Sequence, residues 1–294
     1  MKLGLGAVQF GADYGISNAG GKVPRQEVAS VLAYAESTGV DVLDTAAAYG
    51  DSESVLGSVL WPDHHFRVVT KIPALDPALD SIQCISAVHE SLYSSLKRLR
   101  MKSIYGVLLH RAADAAGANG ARLSKALQEL KHEGLAQKIG VSVYGAEELE
   151  EVLENFVPDL VQLPSNAFDQ RLLRNGWLAR LAALGVETHV RSVFLQGLLL
   201  MPASQRHSAF GHYRNEFDRF DRFCNEYNLT PLEAALGYVR HLPGEATIVG
   251  VTKRAELEEI VRAMEAGNVP PLEAYAALAC DDVGLVNPSM WRLQ

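Results

Sequence analysis

The sequence predicts an α/β fold, a single (β/α)8 TIM barrel over residues 1–294 with parallel strands and an inserted loop and helix after the seventh strand. Three observations carry that prediction. Eight short apolar runs rich in β-branched residues recur along the chain. Segments with apolar residues at three-to-four spacing lie between them, as the outer helices of βα units would. No Pro/Gly/Ser-rich linker or charge run divides the chain into halves.

Taken in order, residues 3–8 form the first strand and residues 25–37 the first helix. The second strand, 42–45, ends in Asp44 and Thr45, and the third, 68–71, ends in Thr70 and Lys71. A helix over 81–99 leads to the fourth strand, 105–110, which ends in His110. Helices over 123–132 and 146–155 flank the fifth strand, 138–143; the last three strands are 160–163, 188–193 and 247–251. These runs are mainly apolar, as expected of parallel strands covered on both faces. The one large irregularity, residues 202–228, is rich in His, Arg, Phe and Tyr and reads as the insertion.

With 294 residues, 48% of them hydrophobic, the chain can bury a large core. Its net charge of -8, with Lys and Arg scattered in ones and twos, would repel phosphate backbones and anionic lipid, so neither a nucleic acid nor a membrane partner is expected. Cys84, Cys224 and Cys280 show no CxxC or Cys/His ligand spacing, which argues against a disulfide framework and a metal site. A reducing cytoplasm is the expected location. The N-terminal residues lack the pattern of a signal peptide, and no apolar run approaches the roughly 20 residues that a membrane span needs. Nothing in the pattern assigns an oligomeric state.

In a barrel of this kind, the site is built where the strands end at their C-termini. Asp44, Lys71 and His110 stand at the mouths of three consecutive strands, and Tyr49 follows on the next loop, so the four converge. Each could have a structural role alone; their joint occurrence points to chemistry. A carbonyl group accepts hydride well only if its oxygen is polarised and then protonated, which needs a positioned neutral acid. A tyrosine supplies one. Lys71 as an ammonium would favour the phenolate that remains, Asp44 would keep that lysine charged and directed, and His110 would orient the carbonyl oxygen.

These residues resemble the aldo-keto reductase family. The resemblance rests on Asp44-Thr45-Ala46-x-x-Tyr49-Gly50-x-Ser52-Glu53, on Thr70-Lys71 and on Leu109-His110, which match the family's catalytic Asp, Tyr, Lys and His. It extends through Gly6-Ala7-Val8-Gln9-Phe10-Gly11, Gly140-Val141-Ser142, Ser192-Val193-Phe194-Leu195-Gln196-Gly197 and Ile248-Val249-Gly250. No GxGxxG opens a helix here, and the resemblance implies instead that barrel loops hold the cofactor, NADPH or alternatively NADH. Ser142 and Gln162 match the residues that hold the nicotinamide carboxamide, while Val143 stands where the family has an Asn. Arg191 aligns with the aromatic residue that stacks on the nicotinamide; Ser192, Leu195 and Gly197 would follow the pyrophosphate. At the start of the last helix, Gly250, Thr252 and Ile260 occupy positions where many members carry a phosphate grip or an adenine contact. Lys253 and Arg254 could pair with a 2′-phosphate, and Glu256 could accept a ribose 2′-hydroxyl.

The resulting expectation is an NAD(P)H-dependent reductase of a small aldehyde or ketone, possibly sugar-derived, with Tyr49 as the acid. The substrate wall is expected from the loop 13–18 and from aromatics among Phe10, Tyr14, Trp61, Tyr144, Phe210, Tyr213 and Phe217. Two alternatives are a cofactor-binding sensor with little turnover and a lyase using Lys71 as a Schiff-base amine.

Overall fold

The eight runs pair as strands in chain order, and the eighth returns to the first. The computed structural model describes residues 1–76 and 78–293; Pro77 and Gln294 fall outside them. β1 (Lys2–Gly6), β2 (Val42–Asp44), β3 (Arg67–Ile72), β4 (Ile104–Leu109), β5 (Ala136–Ser142), β6 (Leu160–Pro164), β7 (Glu187–Arg191) and β8 (Ala246–Gly250) close an all-parallel barrel. Parallel neighbours need a crossover, and the intervening segments supply helices: Arg25–Ser37, Ser52–Val59, Ser81–Leu99, Gly117–His132, Ala146–Asn155, Trp177–Ala183, Pro231–Arg240 and Arg254–Glu265 among them. The helix Gly117–His132 starts six residues before the apolar spacing at Leu123 announces it, because Gly117-Ala118-Asn119-Gly120 carries no periodic apolar signal.

Each strand turns alternate residues to opposite faces. On the outer face, Leu5, Leu43, Val68, Val107, Val141, Val161, Val190 and Val249 pack under the helices in the main core. On the inner face, Val42, Ala246 and Ile248 form one small cluster, and Val69, Leu108 and Leu160 another. The barrel is therefore a packed core and not a channel. Gly140 is required where β5 meets β6, since a Cβ there would overlap the carbonyl oxygen of Leu160.

Lower down, the barrel holds charge. His189 is fully buried with Nε2 2.8 Å from Glu187 Oε1, and Glu187 also receives Lys138 and, at 2.6 Å, the hydroxyl of Tyr105. Burial would raise the Glu187 carboxyl, but these three partners outweigh it and hold it at about 2. Arg67 extends the cluster, 3.0 Å from Asp41.

The insertion after β7 consists of short 3₁₀ turns, Ala203–Gln205 and Ser208–Tyr213, and the helix Arg214–Tyr227. Its aromatics face inward: Phe210 packs edge-on to Trp291 at 4.9 Å, and Phe217 and Phe220 lie 5.8 and 5.7 Å from Phe168. Among the described residues, no helix is long and apolar enough to cross a membrane.

Candidate active site

The inward parity that fills the barrel also decides what reaches its mouth. One step above Val42, Val69, Leu108 and Leu160 on the same face stand Asp44, Lys71, His110 and Gln162. Register brings them together: Gly6 lies opposite Asp44, Lys71 opposite Leu108, and Ser142 opposite Gln162.

Lys71 is 1% exposed and Asp44 4%, and Nζ of Lys71 lies 2.7 Å from both carboxylate oxygens. The ammonium also donates to the Thr45 carbonyl at 3.0 Å and stands 3.4 Å from the Tyr49 hydroxyl. Burial acts to strip the proton from Lys71, but Asp44 and Tyr49 outweigh it and the net effect is upward. Lys71 is therefore an ammonium and not the free amine that Schiff-base chemistry requires. Gln162 Nε2 donates to Asp44 Oδ1 at 2.7 Å, so the carboxylate is held by two partners. His110 sits edge-on to Tyr49, with ring centroids 5.6 Å apart. Burial first, then the Lys71 charge, push its imidazole down to about 4, so it is neutral at pH 7. The tetrad expected from the sequence is thus one contiguous cluster.

The rest of the first motif is scaffold. Ser52 Oγ donates to the Ala7 carbonyl at 2.7 Å and meets Thr45 Oγ1 at 3.0 Å. Glu53 is buried with Thr70 Oγ1 at 2.5 Å and Arg98 Nε at 2.7 Å. These bonds lock the turn that presents Tyr49. Two glycines complete it: Gly50 has φ +57°, and a Cβ on Gly11 would overlap the Tyr49 carbonyl oxygen and the Ser52 nitrogen. Gly11→Ala is therefore expected to lower stability by about 1–3 kcal/mol and to cut kcat on the order of tenfold to a hundredfold by displacing Tyr49. Thermal melts alongside steady-state rates check this; an unchanged kcat would separate the close contact from Tyr49 positioning.

A cleft of about 620 Å³ runs from Tyr49 and His110 across the barrel mouth to the start of the helix Arg254–Glu265. Its walls include Gln9, Tyr14, Ser142, Gln162, Arg191, Ser192–Phe194, Gln196 and Gly197 on one stretch, and Gly250, Thr252, Glu256 and Glu259 on the other; Leu195, expected there from the sequence, is fully buried behind them because its apolar side chain joins the core. Two buried acceptors in it, Gln162 Oε1 and Gln9 Oε1, have no hydrogen-bond partner among the described residues. An amide-bearing ligand would satisfy such acceptors. Ser192, Leu195, Gln196 and Gly197 all have φ between 47° and 89°, and Asn166 Nδ2 pins the Ser192 carbonyl at 3.1 Å. The Leu195 N–H is spent within this turn on the Ser192 carbonyl at 3.1 Å, while Ser192, Gln196 and Gly197 face the cleft. The cleft thus offers a polar ligand both donors and acceptors. Ser17 Oγ bonds the Gln196 carbonyl at 3.2 Å, so the loop after β1 bridges to this segment.

Other expectations need correction. Arg254 turns away from the cleft: Nε lies 2.7 Å from Glu258, and the guanidinium covers the Tyr34 ring at 5.1 Å. The four-residue spacing to Glu258 along one helix face competes successfully for it. Glu256 accepts from Thr252 N at 2.7 Å and from Thr252 Oγ1 at 3.0 Å, so its oxygens already have partners. Lys253 is exposed at the N-cap of the helix Arg254–Glu265, next to Thr252 at the cleft's rim, and keeps its place as a candidate. Of the aromatics named for the substrate wall, Tyr14 and Tyr144 line the cleft; Phe10 is fully buried, and Phe210, Tyr213 and Phe217 are committed to packing. Gln9 and the Gln162–Asp44 bond were not expected; Gln9 lay within a quoted motif without a role. Among the described residues, no group of three or more His, Cys, Asp or Glu side chains could hold a metal ion.

Comparison with known proteins gives the same frame. The profile of the aldo/keto reductase family matches residues 2–279. An aldo-keto reductase of Mycolicibacterium vanbaalenii is 33% identical over 141 residues, 46% of this chain and 47% of that protein, so the match spans about half of the relative. A methylglyoxal reductase of Escherichia coli O157:H7 is 24% identical over 89% of this chain and 91% of its own. Among solved structures, an aldo-keto reductase from Bacillus halodurans superposes with a TM-score of 0.75 at 19% identity, covering 95% of this chain and 92% of that one, a likeness of fold.

Proposed function

The chain belongs to the aldo/keto reductase family, and from that premise we propose that it reduces a small aldehyde or ketone, such as a sugar-derived one, to the alcohol with NADPH, or alternatively NADH. The observation that carries this reading is the buried Lys71–Asp44 pair 3.4 Å beneath the Tyr49 hydroxyl, with a neutral His110 beside it. A reduced nicotinamide dinucleotide, when bound, supplies the hydride. As the carbonyl carbon accepts it, the π pair moves to oxygen, and the Tyr49 O–H donates its proton there. The Lys71 ammonium stabilises the phenolate left behind, and solvent restores the proton. His110, uncharged, is suited to hydrogen-bond the carbonyl oxygen and fix its direction.

Toward the cofactor, Gln162 Oε1 and Ser142 would hold the carboxamide, and the left-handed segment with Ser192 and Gly197 would border the pyrophosphate. Gly250, Thr252 and Glu256 would border the adenosine half. Lys253 is the cation left to meet a 2′-phosphate, since Arg254 is engaged and Glu256 is occupied by Thr252. Fluorescence titration tests this. Lys253→Ala should weaken NADPH about tenfold, the worth of one charge-assisted contact, with NADH affected little. Equal affinity of the variant and the parent protein for NADPH would remove Lys253 from the site, and failure of both dinucleotides to bind would sink the reductase reading.

A further inference from the structure

Arg191 is the last inward residue of β7 and lines the cleft beside Tyr49 and His110. Its immediate partners are neutral. The guanidinium lies 4.3 Å over the Tyr144 ring, donates to the Val143 carbonyl at 3.0 Å and reaches Ser192 Oγ at 3.2 Å. Among the described residues, no carboxylate forms an ion pair with it, whereas nearby Arg171 is paired with Asp169 and Arg174 with Asp281. Among the described residues that line the cleft, Arg191 is also the one cation; Asp44 is neutralised by Lys71, and the other two carboxylates, Glu256 and Glu259, belong to the helix Arg254–Glu265. The positive charge is felt by His110 and by Tyr14, so it stands close to the reacting end. A half-buried cation without a counter-charge is costly unless a ligand supplies one.

Resting on the reductase reading above, we propose that Arg191 binds an anionic group on the carbonyl substrate, so that the preferred substrates are aldehydes or ketones carrying a carboxylate or phosphate. A guanidinium has five N–H donors, and two are used, which leaves a fork suited to an oxyanion. Tyr144 lies against the guanidinium, its ring centroid 4.3 Å from Cζ, and with the Val143 and Ser192 bonds it holds the fork in direction. A cation stacked on the nicotinamide would also oppose formation of its oxidised, positively charged state. The reaction is unchanged: hydride passes from the reduced dinucleotide to the carbonyl carbon, a proton from Tyr49 to its oxygen, and the anionic group remains intact in the alcohol.

The test compares matched pairs, 3-carboxybenzaldehyde against benzaldehyde and glyceraldehyde 3-phosphate against glyceraldehyde. In the unsubstituted protein, kcat/KM should favour the anionic member of at least one pair by about tenfold to a hundredfold, and the pair so favoured identifies the anion. Its KM should rise with salt while that of the neutral partner does not. Arg191→Met should bring the ratio near one, and Arg191→Lys should restore part of it. A ratio near one in the unsubstituted protein, or a ratio unchanged in Arg191→Met while titrated cofactor affinity falls, overturns the proposal. Absence of turnover for all four aldehydes with bound cofactor would instead overturn the reductase reading.

Discussion

Tyr49→Phe is expected to abolish carbonyl reduction, lowering kcat by about a thousandfold, within the usual contribution of a positioned acid. The substitution removes one oxygen. The Tyr49 ring keeps its edge-on contact with His110 and its place over Lys71, whose nitrogen lies 4.9 Å from the ring centroid. The Gly11, Ser52 and Glu53 contacts that fix the turn involve the Tyr49 backbone or other residues, and so survive. Cofactor affinity, read by titration, should therefore stay within a factor of about two, because the cleft contacts are elsewhere. The split is the diagnostic: a variant that loses affinity and rate together has lost structure, and one that keeps its rate has a different acid.

Lys71→Met should have the largest effect on stability. Methionine is close to lysine in length and apolar, so little volume is lost. What changes is Asp44, 4% exposed, which would keep a buried negative charge with Gln162 as its remaining side-chain partner. Breaking one half of a buried pair in this way costs about 3–5 kcal/mol. Asp44→Asn combined with Lys71→Met removes the charge as well as its partner, and should recover most of the lost stability by chemical denaturation while leaving the enzyme inactive. Equal destabilisation in single and double variants would mean that packing, not the uncompensated charge, is what Lys71 provides. Recovered activity in the double variant would remove the pair from the mechanism.

Much of this was legible along the chain. The eight strands could be read because β-branched apolar runs bounded by helix-period segments are local signals, and the tetrad because Asp44, Lys71 and His110 each end such a run. The roles of Ser52, Glu53 and Thr70 could not be read, since each depends on a partner at least seven residues away, Arg98 for Glu53 being one. The cofactor end misled for a related reason. Arg254 and Glu256 looked available when considered as neighbours in sequence, but helix geometry gave Arg254 to Glu258 and turned Glu256 back on Thr252. The aromatics of the insertion looked like a pocket lining and went into packing, because a large ring buries more apolar area against Phe168 and Trp291 than at an open rim.

The sequence by itself determined the number and order of strands and marked Asp44, Tyr49, Lys71 and His110 as residues that meet at the strand ends, because period and position are properties of a linear pattern. The tertiary structure decided everything that depends on approach across the barrel. Closure of β1 on β8 and the shared inward parity set Lys71 2.7 Å from Asp44, gave Gln162 to that carboxylate, and left Arg191 facing the cleft without a counter-charge among the described residues. Hydrogen bonds and ion pairs act over a few ångströms, and the chain brings such groups that close only by folding.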